Sequence, residues 1–221
     1  MKKILVLIPA FLLAYQISKA QTEKGSQTLG LNLQFSHQQS TTAGAAPGLS
    51  SYDINTKSTN YSFGPVYSYF IADKLDIGIS PYFAYNKFDT KYTTPELTGN
   101  NQIMKQYGAN IFLRKYFMFA DKLGLRAGPY LGYFRYHNQI INEGIQPSGP
   151  ANSNNYLAGA NADLVFYPTK KLGFSASLAN VNYQHSVQKD GSTKSGDGDN
   201  FNASFVNNGL AISVFYVFGG K

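Results

Sequence analysis

The chain has 221 residues, no cysteine, no tryptophan and a formal charge of +7, with 14% of its residues charged and 15% aromatic. One ordinary domain fits that length, and without cysteine there can be no disulfide framework, thiolate metal site or cysteine-linked lipid anchor. The bases are scattered rather than gathered on one face, so the charge carries no nucleic-acid footprint.

The first twenty residues differ from the rest. Lys2 and Lys3 precede an apolar run from Ile4 to Ala14, and Ser18 and Ala20 supply small residues before Gln21. This is the pattern of a secretory signal peptide over 1–20, cleaved near Ala20 and too short for a membrane helix. Its removal takes away Lys2, Lys3 and Lys19 and leaves 16 bases against 12 acids, a net of +4. Soluble domains carry about 25% charged residues, and no later apolar run approaches the roughly 18 residues of a membrane helix. Few charges, many aromatics, an export signal and no membrane helix suit a transmembrane β-barrel, in which only alternate residues must be apolar.

The mature chain then alternates with period two, segment after segment. In 29–36, Leu29, Leu31, Leu33 and Phe35 oppose Gly30, Asn32, Gln34 and Ser36. In 60–69, Tyr61, Phe63, Pro65, Tyr67 and Tyr69 oppose Asn60, Ser62, Gly64 and Ser68. Segment 75–86 sets Leu75, Ile77, Ile79, Pro81, Phe83 and Tyr85 against Asp76, Gly78, Ser80, Tyr82 and Asn86. The same holds for 106–114, 123–133, 158–166, 172–178 and 209–218, which predicts eight strands. Asn180 falls on the apolar face of its segment, so a bulge or a strand end is expected there. Pro65, Pro81 and Pro129 sit mid-strand, where each removes a ladder donor, and local bulges would absorb them.

One phrase recurs. YFIADKLDIGISPY at 69–82 returns as YFMFADKLGLRAGPY at 116–130, and more faintly as YPTKKLGFSASL at 167–178. Leu75, Leu123 and Leu172 anchor the copies, 48 and 49 residues apart. A fixed period of this size marks a repeated supersecondary unit. Here it is a short turn (71–74, 120–122, 168–171) plus the strand that leaves it. The other connections, about 37–57, 89–102, 139–155 and 188–200, are long and rich in Gly, Ser, Asn and Thr. Short turns at one end and long loops at the other are the habit of outer-membrane barrels.

Alternation does not say which face is inside. The non-apolar face is Gly, Ser and Asn rather than the Lys and Glu of water-facing strands. Aromatics also gather beside the short turns: Tyr67, Tyr69, Phe70, Tyr116, Phe117, Phe119, Phe166, Tyr167, Tyr216 and Phe218. Phe83, Tyr85, Tyr107, Tyr133 and Tyr156 supply a second belt at the other end, as membrane interfaces favour. The expected architecture is all-β, an eight-stranded antiparallel up-and-down transmembrane β-barrel over 21–221.

With its leader, turn repeat, alternating segments and C-terminal strand, the chain resembles the small outer-membrane β-barrels of Gram-negative bacteria, the porin-like, OmpA-type eight-stranded family. In the last strand, Asn207, Gly209, Ile212 and Val214 match that family's polar-x-Gly-x-x-apolar-x-apolar assembly signal, although the chain runs on to Gly219, Gly220 and Lys221. The resemblance implies a location in the outer membrane, contact with its lipid and lipopolysaccharide, delivery by periplasmic chaperones and the barrel-assembly machinery, and a monomer. It implies no cofactor and no peptidoglycan-binding domain.

Candidate functional residues are few. Asp76, Arg114, Arg126 and Asp163 all point inward in the turn-proximal half. They form either an ionic cluster that gates a narrow pore or structural salt bridges. Some small barrels are enzymes that join a histidine to a serine and an acid. His37, His137 and His185 all lie near loop ends here. His185 and Ser186 are adjacent, so a strand would turn them to opposite faces. His137 has Glu143 nearby but no serine on its strand. No enzyme is expected. Asp190, Asp197 and Asp199 in DGSTKSGDGDN lack the pattern of a calcium loop and read as a solvated loop tip. Lys87 and Arg135 face outward at the upper rim, where they can snorkel or touch lipid phosphates. The leading expectation is a structural or porin-like barrel with at most a narrow small-solute pore. The alternative is a surface-loop binding or adhesion module, and a lipid-modifying enzyme ranks third.

Overall fold

The computed structural model describes residues 22–44, 52–93, 99–142, 148–190, 193–205 and 212–219. The expected leader, 1–20, lies outside these, as do Glu143, Asn207 and Gly209.

Nine strand segments follow one another: β1 Gln27–Gly44, β2 Tyr52–Ala72, β3 Leu75–Tyr92, β4 Asn100–Met118, β5 Leu123–Asn142, β6 Ser148–Phe166, β7 Leu172–Asp190, β8 Thr193–Phe205 and β9 Ile212–Phe218. Each pairs antiparallel with its neighbour, from β1 through to β7. β8 and β9 share the eighth position in the wall. β9 pairs with β1 on one side and with the first part of β7 on the other, which closes the ring at the turn end. β8 pairs with the later part of β7. The fold is an all-β up-and-down barrel of eight wall positions, as the alternation predicts.

Which face is inside follows from burial. Leu29, Leu31, Ile77, Ile79, Ile111, Leu131 and Val214 are exposed on the outer wall, while Asp76, Arg114, Arg126 and Asp163 are buried. A continuous apolar outer wall with a charged interior is the reverse of a soluble barrel, and in water it would be a patch far larger than monomers expose. On β3 the apolar band runs eleven residues, from Leu75 to Tyr85. About 9–11 residues of tilted strand cross a bilayer. A ring of aromatics tops the band: Phe35, Tyr61, Tyr85, Tyr107, Tyr133, Tyr156, Tyr183 and Phe201. Tyr61 stacks on Tyr85 at 4.9 Å and Tyr133 packs against Tyr156 at 5.3 Å.

Two expectations need correction. The long connections are largely strand. β1 runs to Gly44, β2 starts at Tyr52, and β7 and β8 turn over between Asp190 and Thr193. Asp197 and Asp199 therefore lie on β8, opposite Val187 and His185. These parts are wet on both faces, so they carry no alternation, yet their backbone ladder continues. In addition, Phe70, Tyr116 and Tyr167 do not belong to the lower girdle, being 0%, 1% and 0% exposed. Phe70 and Tyr116 lie in register with the inward Ser68 and Arg114, which the alternation could have shown.

The prolines are absorbed without bulges. Pro65 and Pro81 stand opposite each other on β2 and β3. The ladder skips from Phe63↔Phe83 to Tyr67↔Ile79 and keeps its register. Pro129 has the same effect between Phe112↔Tyr130 and Lys115↔Ala127. A true register shift occurs on β7, where Ala179 and Ser177 face the successive residues Ala162 and Asp163. This bulge turns Asn180 inward, where its amide bonds the Tyr130 hydroxyl at 3.2 Å.

Candidate functional site: the closed floor and the well above it

The turn repeat delivers the inward charges as neighbours. Asp76, just after the first short turn, is the cross-strand partner of Arg114. Arg126, just after the second, is the partner of Asp163. Each pair closes. Arg114 Nη2 donates to Asp76 Oδ2 at 2.6 Å, and its Nε to Oδ1 at 3.1 Å. Arg126 Nε donates to Asp163 Oδ2 at 2.8 Å.

Other side chains satisfy what remains. Asp76 Oδ2 also accepts from Ser68 at 2.7 Å and from the Tyr116 hydroxyl at 3.0 Å. Thr28 and Ser68 share a bond of 2.6 Å, which carries the chain across to β1. On the other side Arg126 Nη2 donates to Ser175 at 2.9 Å. The Arg114 guanidinium lies 3.9 Å over the Phe112 ring. Tyr116, the cross-strand partner of Arg126, stands between the two pairs. The network therefore runs around most of the wall at one level. Removal of either partner of such a pair leaves an unpaired buried charge, the costly outcome.

Interleaved with these pairs at the turn end is a buried, largely apolar cluster. Phe70, Tyr116, Val165, Tyr167, Phe215 and Val217 form one buried cluster across the turn end. Phe70 packs on Tyr116 at 5.2 Å and Tyr167 meets Phe215 edge-on at 5.6 Å. Residues 22–26 tuck in beside it: Gly25 N donates to Phe70 O at 2.9 Å, and Phe70 N to Ser26 O at 2.9 Å. Above the layer is a cavity of about 480 Å³, lined among others by Tyr82, Asn110, Phe112, Tyr130, Phe134 and Asn180. Tyr82 and Gln106 also line a second cavity of about 290 Å³ nearer the loops. The interior is a well with a closed bottom.

Among the described residues the histidines gather no catalytic trio. His37 Nδ1 lies 2.9 Å from Thr59 Oγ1, and His137 Nδ1 lies 2.9 Å from Asn152 Oδ1. His185 Nδ1 meets Asp199 Oδ1 at 2.8 Å on the outer wall, while Ser186 turns inward and donates to Asn155. Among the described residues no group of three or more His, Cys, Asp or Glu is placed to hold a metal ion. Of the assembly-signal residues, Ile212 and Val214 lie on β9, with Val214 on the outer wall.

Asp199 offers a pH test outside the membrane band. The Tyr183 hydroxyl donates to it at 2.6 Å. That bond, and then the His185 ring, hold its carboxyl below the usual range. A carboxyl depressed by folding stabilises fully above its unfolded pKa, about 3.9, and loses that contribution as pH falls through the lower folded value. Amide exchange at 197–201, corrected for intrinsic rate, should accelerate on acidification below about pH 4. Asp199→Asn should remove the pH dependence. Wild-type exchange that stays flat across that range would contradict the assignment.

No protein-family model matches the chain, and no curated protein matches it. Among solved structures it is similar to Ail, the attachment invasion locus protein of Yersinia pestis. The match is 11% identical, covers 88% of this chain and 99% of that one, and has a TM-score of 0.36.

Proposed function

We propose that the protein is an integral outer-membrane barrel whose turn end is sealed, a structural wall element rather than an open pore. The observation that carries this reading is the buried turn end, where ion pairs and aromatic rings interleave. The buried rings of Phe70, Tyr116, Tyr167 and Phe215 pack among the Asp76–Arg114 and Arg126–Asp163 pairs. An ion crossing this end would have to break paired charges and pass buried, largely apolar side chains, which charged groups strongly resist. The outer apolar wall supports the membrane, and the export leader supports the compartment.

The expected result in a planar bilayer is silence from protein that migrates as a folded, heat-modifiable barrel. Reproducible small steps would overturn the sealed floor and make the ionic layer a gate. A second reading has its own observation. β1 runs nine residues past Phe35 to Gly44, and the other strand pairs rise similarly above the aromatic ring. Such protruding ladders suit a surface-binding or adhesion role. Replacement of the hairpin tips would leave a purely structural barrel unaffected and would abolish a binder.

A further inference from the structure

The inner wall above the ion pairs is built to stay open. An eight-stranded barrel is just wide enough for side chains to fill it, or to hold one small ligand. Here four inward rings have glycine as a cross-strand partner. Phe112 faces Gly78, Tyr130 faces Gly159, and Tyr82 and Phe134 flank Gly108 from either side. A β-carbon on Gly78, Gly108 or Gly159 would run into the ring of Phe112, Phe134 or Tyr130. These rings therefore lie back over bare backbone instead of reaching across the lumen. Glycine within a strand weakens it, so the repeated pairing keeps the space open at a cost in stability.

The space that results is the cavity of about 480 Å³, within the roughly 300–1,000 Å³ of small-molecule sites. Two kinds of surface face it. Tyr82 and Phe134 meet edge to face, 6.1 Å apart with 80° between their planes, and form an aromatic corner. Ser80, Gln106, Asn110 and Ser177 set hydroxyls and amides around that corner. Asn110, the cross-strand partner of Ser80, leaves its buried Oδ1 without a hydrogen-bond partner among the described residues. The charges at the base are satisfied by one another, Arg114 by Asp76 and Arg126 by Asp163. A charged solute would therefore lose its water and gain no counter-ion. A lipid tail would leave the hydroxyls and amides unmet. A molecule with apolar faces and a rim of hydroxyls suits both surfaces.

We propose that the well is a binding site for a small neutral sugar, one or two pyranose rings in size. The sugar enters from the loop end, past the second cavity, which shares Tyr82 and Gln106 with the first. A C–H face of the ring lies in the Tyr82–Phe134 corner. Its hydroxyls meet Ser80, Gln106 and the amide of Asn110, which turns toward the cavity to accept one of them. The closed turn end makes this a terminal site and not a passage. The inference goes beyond the sealed-barrel reading: bilayer conductance tests the floor, and sugar contact tests the well.

The test is saturation-transfer NMR on the purified full-length protein in phosphatidylcholine nanodiscs, prepared without sugar-based detergent. The probes are glucose, galactose, mannose and maltose, with glucuronate as the charged counterpart. Wild type should pass saturation to the ring protons of at least one neutral sugar and not to those of glucuronate. Ser80→Phe fills the well, and Tyr82→Ser removes half of the aromatic corner. Both variants should lose the transfer while keeping the heat-modifiable band, and if one fails to fold the other still decides. No transfer to any neutral sugar in wild type would overturn the site and leave the well to water. Undiminished transfer in a folded variant would put the sugar elsewhere and overturn it equally. Equal transfer to glucuronate would overturn the choice of a neutral ligand. Ion conductance would bring down the sealed floor and leave this result standing.

Discussion

Replacement of Asp76 by Ala should cost the barrel about 3–5 kcal/mol, the usual penalty for breaking a buried ion pair from one side. Asp76 is fully buried and accepts from Arg114 twice, from Ser68 and from Tyr116. Its loss leaves the Arg114 guanidinium 5% exposed with no carboxylate, and takes from the Ser68 and Tyr116 hydroxyls the acceptor they share. The double variant D76L/R114L removes both charges and fills the space with apolar atoms. Such replacements are often near neutral, so it should recover most of the loss. Urea titration of vesicle-embedded protein, read by the shift from folded to unfolded migration, measures both. If the single and double variants were equally destabilised, the damage would come from packing and not from an unpaired charge.

The second large effect concerns the backbone. A β-carbon on Gly128 would run into the Leu113 carbonyl of the neighbouring strand. The obstacle is main chain, so no rotamer change can relieve it. Pro129 has already interrupted the β4–β5 ladder at this point, between Phe112↔Tyr130 and Lys115↔Ala127. Gly128→Val should therefore exceed the roughly 1–3 kcal/mol of ordinary overpacking and block barrel closure, seen as loss of the heat-modifiable band. Gly198 is the control, because nothing lies within 4 Å of a β-carbon there. Gly198→Val should fold like the wild type. Normal assembly of the Gly128 variant would mean that β4 and β5 can separate without loss.

These two residues also show how much could be read without coordinates. The alternation assigned Asp76, Arg114, Arg126 and Asp163 to one face, and counting from the short turns put all four in the turn-proximal half. From those facts alone the expectation of a membrane barrel, a polar interior and an inward ionic cluster near the turns follows, since period two and short-turn spacing are local properties of the chain. Pairing is different. That Asp76 faces Arg114 and Asp163 faces Arg126 depends on register, which is set between strands far apart in sequence. The bulge that turns Asn180 into the well is likewise a relation between β6 and β7. Phe70 and Tyr116 counted as girdle rings because an aromatic beside a turn looks alike whether it faces lipid or core. The alternation already leaned the other way, and burial decided it. Sequence determines what each strand shows to either side, through sterics and hydrophobicity along a few residues. Tertiary structure decides what meets what, because contacts across a closed wall depend on stagger that no single strand contains.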